Sequence, residues 1–368
     1  MSDANAPGER RRTDRPLGSG EGRGQLYAAL DLGTNNCRLL VATPVRQGFR
    51  VVDAYSRIVR LGEGLSQTGR LQPAAMNRAL DALKVCADRI RRRGAPRVRA
   101  IATQACRTAE NGAEFIERVE RETGLKLQVI SPREEARLSV AGCLGLLDWR
   151  MRAALVIDVG GGSTELSWVE LDGRGGPNAG RMPPIRAWLS IPMGVVTLAE
   201  QFPERRPGEH GWFRDMVEAV KAHVADFRHA DALRPLFDAG QAHLIGTSGA
   251  ITSLAGLHLG LERYERSKVD GLWLTEADCD AMADRLLALD QAARASEPCI
   301  GPDRADLVLA GAAILKAVQE LWPCERVRVA DRGLREGLLL SLMTEKPKRR
   351  RRRRRGRPGA ALPAAGAA

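Results

Sequence analysis

The sequence has few aromatic residues and no long apolar run. Only 4% of its 368 residues are Phe, Trp or Tyr, so Leu, Val and Ala must fill the interior. The longest apolar runs, such as 310–315, are far shorter than the roughly 20 residues of a membrane span. The first residues also lack the apolar core of a signal peptide. We therefore expect a cytoplasmic protein with no membrane contact.

Metal-binding and redox motifs are absent as well. The five histidines are scattered, which argues against a zinc site or a histidine-based hydrolase. The seven cysteines form no C-x-x-C pair and lie singly in apolar patterns. We expect reduced and mostly buried thiols.

The net charge of +12 comes from one end of the chain. Residues 346–368 hold ten Lys and Arg and no acidic residue, including the seven arginines Arg349 to Arg355, whereas 25–345 are almost balanced. Neither 346–368 nor the Gly- and Arg-rich 1–24 can bury apolar area, so both are predicted to be disordered. The arginine run could capture a polyanionic substrate or bind nucleic acid, and the sequence leaves both open.

Two glycine-rich loops of one design stand out, although the known P-loop and dinucleotide-binding motifs are missing. Each follows an apolar run that ends in an aspartate, Asp31 or Asp158, and precedes a second apolar run. Alone, either loop could be a plain hairpin turn. Their recurrence indicates two related halves, whose loops would clamp a phosphate chain from both sides.

The loops supply the predicted phosphate and cation ligands. Backbone N–H groups and small polar side chains would bind phosphate, and carboxylates would hold a divalent cation beside it. The predicted phosphate-binding residues are Gly33, Thr34, Asn35, Gly160, Gly161, Gly162, Ser163 and Thr164. Asp31 and Asp158 are predicted to hold Mg²⁺, largely through its waters, and Glu165 can face the same cation.

A third glycine turn precedes a helical pattern. Gly246, Ser248 and Gly249 follow a short apolar strand, and an apolar 3.6-residue periodicity begins at Ile251. A helix N-terminus there would add its dipole to an anion site, and we assign all three residues to phosphate binding. The alternative is an ordinary strand-to-helix turn with a hydroxyl N-cap.

Between the termini, predicted strands and helices alternate, which indicates an α/β fold. We predict one lobe over 25–133 and a second over 134–345, with a cleft between them. Pro132 opens a helix whose first turn contains Glu134 and Glu135.

Several motifs in register resemble the exopolyphosphatase/guanosine pentaphosphatase (Ppx/GppA) family over residues 25 to 343. They are the three glycine turns, 60–65, 103–111, 130–138, 304–306 and 331–338. Asn36 and Ala250 depart from the family pattern, which usually has Ser and Thr there. The chain has no room for the helical C-terminal module of longer exopolyphosphatases, so it resembles the short, two-domain type.

The resemblance implies the two-lobed actin/sugar-kinase/heat-shock-chaperone (ribonuclease H-like) superfold, with the last helix packed back on the first lobe. It implies that Glu135 is the general base. Glu134 is interpreted as an acidic residue that stabilises the first turn of the helix. Arg60 and Arg107 are further predicted phosphate ligands. The implied reaction removes terminal orthophosphate from inorganic polyphosphate, guanosine pentaphosphate or both, and the family tends toward homodimers.

Two other functions stay open at this point. The first is an ATP-dependent kinase or ATPase of the same superfold, which would need an adenosine pocket. The second is a non-enzymatic module that binds a nucleotide or polyphosphate. The intact carboxylates at Asp31, Glu135, Asp158 and Glu165 argue against an inactive site.

Overall fold

The computed structural model describes residues 25–46, 48–172, 182–205, 211–225, 227 and 230–344. The predictions for 1–24 and for 346–368 lie outside this range.

The first sheet is built from residues 27–129. Its strands are β1 (Tyr27–Leu32), β2 (Asn36–Pro44), β3 (Phe49–Ile58), β4 (Arg97–Ala102) and β5 (Leu127–Val129). The accompanying helices are α1 (Leu65–Thr68), α2 (Pro73–Arg93), α3 (Gln104–Thr108) and α4 (Gly112–Thr123). Helix α2 begins at Pro73, whose missing N–H is not needed at a helix start.

The second sheet is built from residues 153–330. Its strands are β6 (Ala153–Val159), β7 (Thr164–Glu170), β8 (Ile185–Ile191), β9 (Ala242–Thr247), β10 (Trp273–Thr275) and β11 (Arg326–Ala330). The helices up to β10 are α5 (Pro132–Cys143), a 3₁₀ turn (Leu144–Leu146), α6 (Val195–Gln201), α7 (Gly211–Val224), α8 (Ala230–Asp238), α9 (Gly249–His258) and α10 (Arg266–Val269). After β10 come α11 (Glu276–Leu287), α12 (Gln291–Ser296), α13 (Val308–Leu321) and α14 (Leu334–Thr344).

The two sheets share one strand order. The first runs β3-β2-β1-β4-β5, and the second runs β8-β7-β6-β9-β11 with β10 outside β11. In both, the first three strands are antiparallel and the next two run parallel to the central one. This duplicated order is the ribonuclease H-like unit of the actin and sugar-kinase superfold, and the predicted fold class is confirmed.

Two helices, α5 and α14, lie between the sheets. Helix α14 packs on β1, β2 and β4, whereas α5 packs on β6, β7 and β8, and the two helices contact each other extensively. Glycines allow this close crossing. A Cβ atom at Gly337 would lie 1.9 Å from the Leu138 carbonyl oxygen, and one at Gly142 would lie 1.9 Å from the Gly333 carbonyl oxygen. The last helix thus lies against the first lobe.

The apolar interior follows this layering. The largest cluster lies between the second sheet and helices such as α7, α9 and α13, and another joins the first sheet to α2 and α4. All seven cysteines are free thiols, and six are buried. Strand β8 was not predicted from the sequence, although Ile185, Ala187, Leu189 and Ile191 alternate along it with the period of a strand.

Candidate active site

The first glycine loop joins β1 to β2. The Gly33 N–H donates to the Asn36 carbonyl oxygen at 2.8 Å, which closes the turn. Three oxygens in and beside this loop are buried without a hydrogen-bond partner: Asp31 Oδ1, Thr34 Oγ1 and Asn35 Oδ1. Because buried polar atoms are normally paired, these three unpaired oxygens are candidates for contact with a bound polar ligand.

The second glycine loop joins β6 to β7 and touches the first. The Gly160 N–H donates to the Ser163 carbonyl oxygen at 2.9 Å, and Asp158 lies opposite Glu165 in the strand register. A Cβ atom at Gly161 would lie 3.0 Å from the Asn35 backbone nitrogen. The absence of side chains at this position lets the two loops face each other at van der Waals distance.

The third turn joins β9 to α9. The Ser248 side chain caps the helix by accepting from the Ile251 N–H at 2.9 Å, and Gly249 lies next to the Arg304 guanidinium. This N-terminus opens into the same cleft as the two loops. The cleft thus receives the positive end of a ten-residue helix.

Most of the predicted site residues line one cavity of about 370 Å³ between the lobes. They are Asp31, Gly33, Thr34, Asn35, Glu135, Asp158, Gly160, Gly161, Gly162, Ser163, Glu165, Ser248 and Gly249. They come from loops and helix starts of both lobes. The cleft is therefore formed only when both halves of the chain are folded.

Glu135 lies in the first turn of α5 and faces this cleft. Its side chain is buried, and Arg107 Nη1 donates to Glu135 Oε2 at 3.2 Å. Burial and the nearby Glu165 carboxyl raise the pKa of Glu135 well above its usual range, although Arg107 opposes this. Glu134 points elsewhere and pairs with Arg99.

The other three carboxyls also carry raised pKa values; Asp31 and Glu165 are buried, and Asp158 is half-buried. Burial raises the pKa of Asp31 to about 6, against the opposing charge of Arg38. Burial and Asp158 raise the pKa of Glu165 to about 7, although the Ser190 hydroxyl donates to it at 2.8 Å. Burial likewise raises the pKa of Asp158. So many buried carboxyls in one cleft need bound protons or a cation to be stable.

The donor set suits a hydrated cation better than a cation held by protein alone. Within the described residues, no three His, Cys, Asp or Glu side chains are placed to share one metal ion. Mg²⁺ keeps several waters and is usually held by one or two carboxylates together with substrate phosphates. Asp31, with its unpartnered Oδ1, and Asp158 both line the cavity and can supply such carboxylates.

Four predicted phosphate ligands lie outside the cavity lining. Arg60 forms a bidentate ion pair with Asp306, at 2.7 and 3.0 Å. Arg107 lies behind Glu135 and also donates to the Ile130 carbonyl oxygen at 2.8 Å. Thr164 donates its hydroxyl proton to the Met193 carbonyl oxygen at 2.7 Å. Gly246 lies within β9, where a Cβ atom would meet Ile251 Cδ1 at 2.7 Å.

Five arginines that were not predicted as site residues line the cavity: Arg38, Arg266, Arg304, Arg332 and Arg335. Arg38 lies opposite Asp31 in the β1–β2 register, so its side chain shares a face with that carboxyl. Strand alternation from Asn36 could have indicated Arg38, whereas Arg304 lies in a turn without any periodic signal.

The chain is similar to known proteins over almost all of its described length. A model of the Ppx/GppA phosphatase family matches residues 40–346. A solved exopolyphosphatase-like protein is 31% identical, with 86% of this chain and 98% of that chain covered and a TM-score of 0.74. The Ppx/GppA family member of Aquifex aeolicus is 28% identical, with 87% and 97% covered and a TM-score of 0.68.

An exopolyphosphatase from Cytophaga hutchinsonii has the same fold. It is 24% identical, with 88% of this chain and 99% of that chain covered and a TM-score of 0.76. None of the described helices is long and apolar enough to cross a membrane. The family model and the 31% identical structure together establish that the chain belongs to the Ppx/GppA phosphatase family.

Proposed function

We propose that this protein releases terminal orthophosphate from inorganic polyphosphate, guanosine pentaphosphate or both. The observation that carries the proposal is the buried Glu135 carboxyl in the same cleft as two facing glycine loops, the first of which has unpartnered oxygens. Both substrates present a phosphate chain to such a cleft. Membership of the Ppx/GppA phosphatase family and similarity to the 31% identical exopolyphosphatase-like protein support this reaction class.

The proposed chemistry divides the cleft residues by task. The backbone N–H groups of both loops and the Arg304 guanidinium bind the phosphoryl oxygens, which carry the charge during transfer. Glu135 accepts the proton of the attacking water, and burial raises the pKa of its carboxyl, which makes the carboxylate a stronger base. Arg107 holds that carboxyl in place.

We propose Mg²⁺, or another hard divalent cation, as the cofactor. Asp31 and Asp158 would hold it largely through its waters, with Glu165 facing the same position. When bound, the cation neutralises phosphate charge and polarises the phosphoryl group. The free cysteines fit a reducing compartment, and we place the protein in the cytoplasm.

Phosphate release from a panel of donors tests the proposal. Purified protein with Mg²⁺ is given inorganic polyphosphate, guanosine pentaphosphate and ATP in separate reactions. We expect phosphate from one or both of the first two and little from ATP. Phosphate from ATP alone would favour the kinase or ATPase alternative, and tight binding without release would favour the binding module.

A further inference from the structure

A group of polar contacts joins the lobes beside the cleft, and it involves residues that line no part of the cavity. The Arg60 guanidinium binds both carboxylate oxygens of Asp306 and donates to the Asp303 carbonyl oxygen at 3.2 Å. The Glu200 carboxylate accepts from the Gly64 N–H at 3.0 Å and from the Ser66 hydroxyl at 2.5 Å. We name these six residues the interlobe latch.

The first-lobe half of the latch is fixed to the first glycine loop. The Asn35 carbonyl oxygen accepts from the Val59 and Arg60 N–H groups at 2.8 and 3.0 Å, and the Thr34 carbonyl oxygen accepts from Gly62 at 2.9 Å. Arg60 has a φ of 46°, the one positive value among the described non-glycine residues. Such a conformation is disfavoured for arginine, so the surrounding contacts must hold it.

The second-lobe half is fixed to the other two phosphate-binding elements. Glu200 belongs to α6, whose first residues Val195 and Val196 donate to the Gly160 and Gly161 carbonyl oxygens at 3.0 and 2.8 Å. Asp306 lies two residues after Arg304, which lines the cleft next to the third turn. Every latch contact therefore connects backbone segments that support opposite walls of the cleft.

We infer that the interlobe latch sets the spacing between the facing glycine loops, and that Arg60, Glu200 and Asp306 are positioning residues for the phosphate chain. The Arg60–Asp306 pair has the bidentate geometry of a strong ion pair, yet both side chains are about one-third exposed. Such a pair can open to admit substrate and reform around it. Weakening it lowers the fraction of the closed state and raises the apparent dissociation constant in proportion.

The test compares Asp306→Asn and Glu200→Gln with the matched control Glu110→Gln. Glu110 forms an ion pair with Arg70 within the first lobe, so its loss leaves the lobes joined. Hydrogen exchange in the ligand-free protein should become several-fold faster in peptides covering 33–36 and 160–163 for the latch variants only. In the latch variants, the KM for phosphate release should rise about 5- to 10-fold while kcat stays within about 2-fold of wild type. Asp306→Glu keeps a carboxylate for Arg60, so its KM should rise less than that of Asp306→Asn.

Unchanged KM values in both latch variants would overturn the inference. Changes in KM and hydrogen exchange that are as large in Glu110→Gln as in the latch variants would also overturn it. The kinetic measurement rests on the proposed function, whereas hydrogen exchange does not. If the wild type releases no phosphate, the proposed function fails, and tripolyphosphate affinity measured by calorimetry replaces KM. Unchanged exchange and unchanged affinity in that case would overturn the latch as well.

Discussion

Glu134 and Glu135 are adjacent in the sequence, yet the fold gives them different environments. Both occupy the first turn of α5, where acidic residues stabilise a helix. Glu134 pairs with Arg99, whereas Glu135 is buried at the cleft against Arg107. A single helical step of about 100° therefore separates a structural carboxylate from the proposed base.

The substitution Glu135→Gln preserves shape and hydrogen bonding but removes the proton acceptor. We expect turnover to fall by roughly 10²-fold or more with substrate binding nearly intact. Single-turnover phosphate release gives the measurement, and Glu134→Gln is the control with a mild effect. Wild-type turnover in Glu135→Gln would contradict the assignment.

The substitution Asp158→Asn removes one negative charge from the cleft and leaves the glycine loop intact. If Asp158 holds Mg²⁺ through its waters, activity should fall sharply and recover in part at raised Mg²⁺. A titration of activity against Mg²⁺ concentration measures this. An unchanged Mg²⁺ dependence would give Asp158 a structural role at the end of β6.

His243 should make stability depend on pH. Burial lowers its pKa to about 4, from about 6.5 when the chain is unfolded. Only the unfolded chain takes up the proton as the pH falls from 6.5 to 4, so the free energy of unfolding decreases by about 3 kcal/mol over that window. Above pH 6.5 this contribution is constant. Urea unfolding at a series of pH values gives the free energy of unfolding of the wild type and of His243→Gln. Plotted against pH, the two free energies should have different slopes only between about pH 4 and 6.5. Parallel curves in that window would refute the prediction.

At the scale of elements, α5 and α14 connect the lobes, and glycines lie where the two segments approach each other most closely. Each helix contributes a glycine whose Cβ would overlap a backbone oxygen of the other segment, as at Gly337 against Leu138. Because backbone atoms cannot swing aside as a flexible side chain can, this crossing tolerates no added volume. The relative position of the two sheets depends on it.

The substitution Gly337→Ala should therefore destabilise the protein by about 3 kcal/mol or more, the upper range for overpacking. The matched control is Gly211→Ala at the first residue of α7, where a Cβ atom meets nothing within 4 Å. Thermal unfolding checks both variants. A Gly337→Ala protein as stable as the control would mean that the helices can separate without cost.

At the scale of the whole molecule, most of the net positive charge comes from residues 346–368, which lie outside the described residues. The predicted role of Arg349 to Arg355 is to concentrate a polyanion near the cleft without touching the reacting bond. Deleting 346–368 should leave kcat nearly unchanged, raise KM for long polyphosphate and flatten its salt dependence. Guanosine pentaphosphate, with fewer charges, should be little affected.

Steady-state kinetics at several salt concentrations measure this effect. The alternative is a nucleic-acid tether. An unchanged polyphosphate KM and salt slope, together with lost RNA or DNA binding, would show that the arginine run serves that second purpose.

The sequence by itself determined the features that depend on neighbours along the chain. The glycine loops, the helix starts at Pro73 and Pro132 and the apolar periodicities are local, so residue order was enough to place them. The duplicated loop also indicated two similar lobes, which the shared strand order of the sheets confirms. Family resemblance added the identity of the reaction class.

Only the tertiary structure decided which side chains face the cleft. Arg60, a predicted phosphate ligand, pairs in this structure with Asp306, 246 positions away. Gly246 lies within a strand, and Arg38 reaches the cleft through its register opposite Asp31. These outcomes depend on contacts between segments far apart in sequence, and no local pattern specifies the partner of a charged side chain.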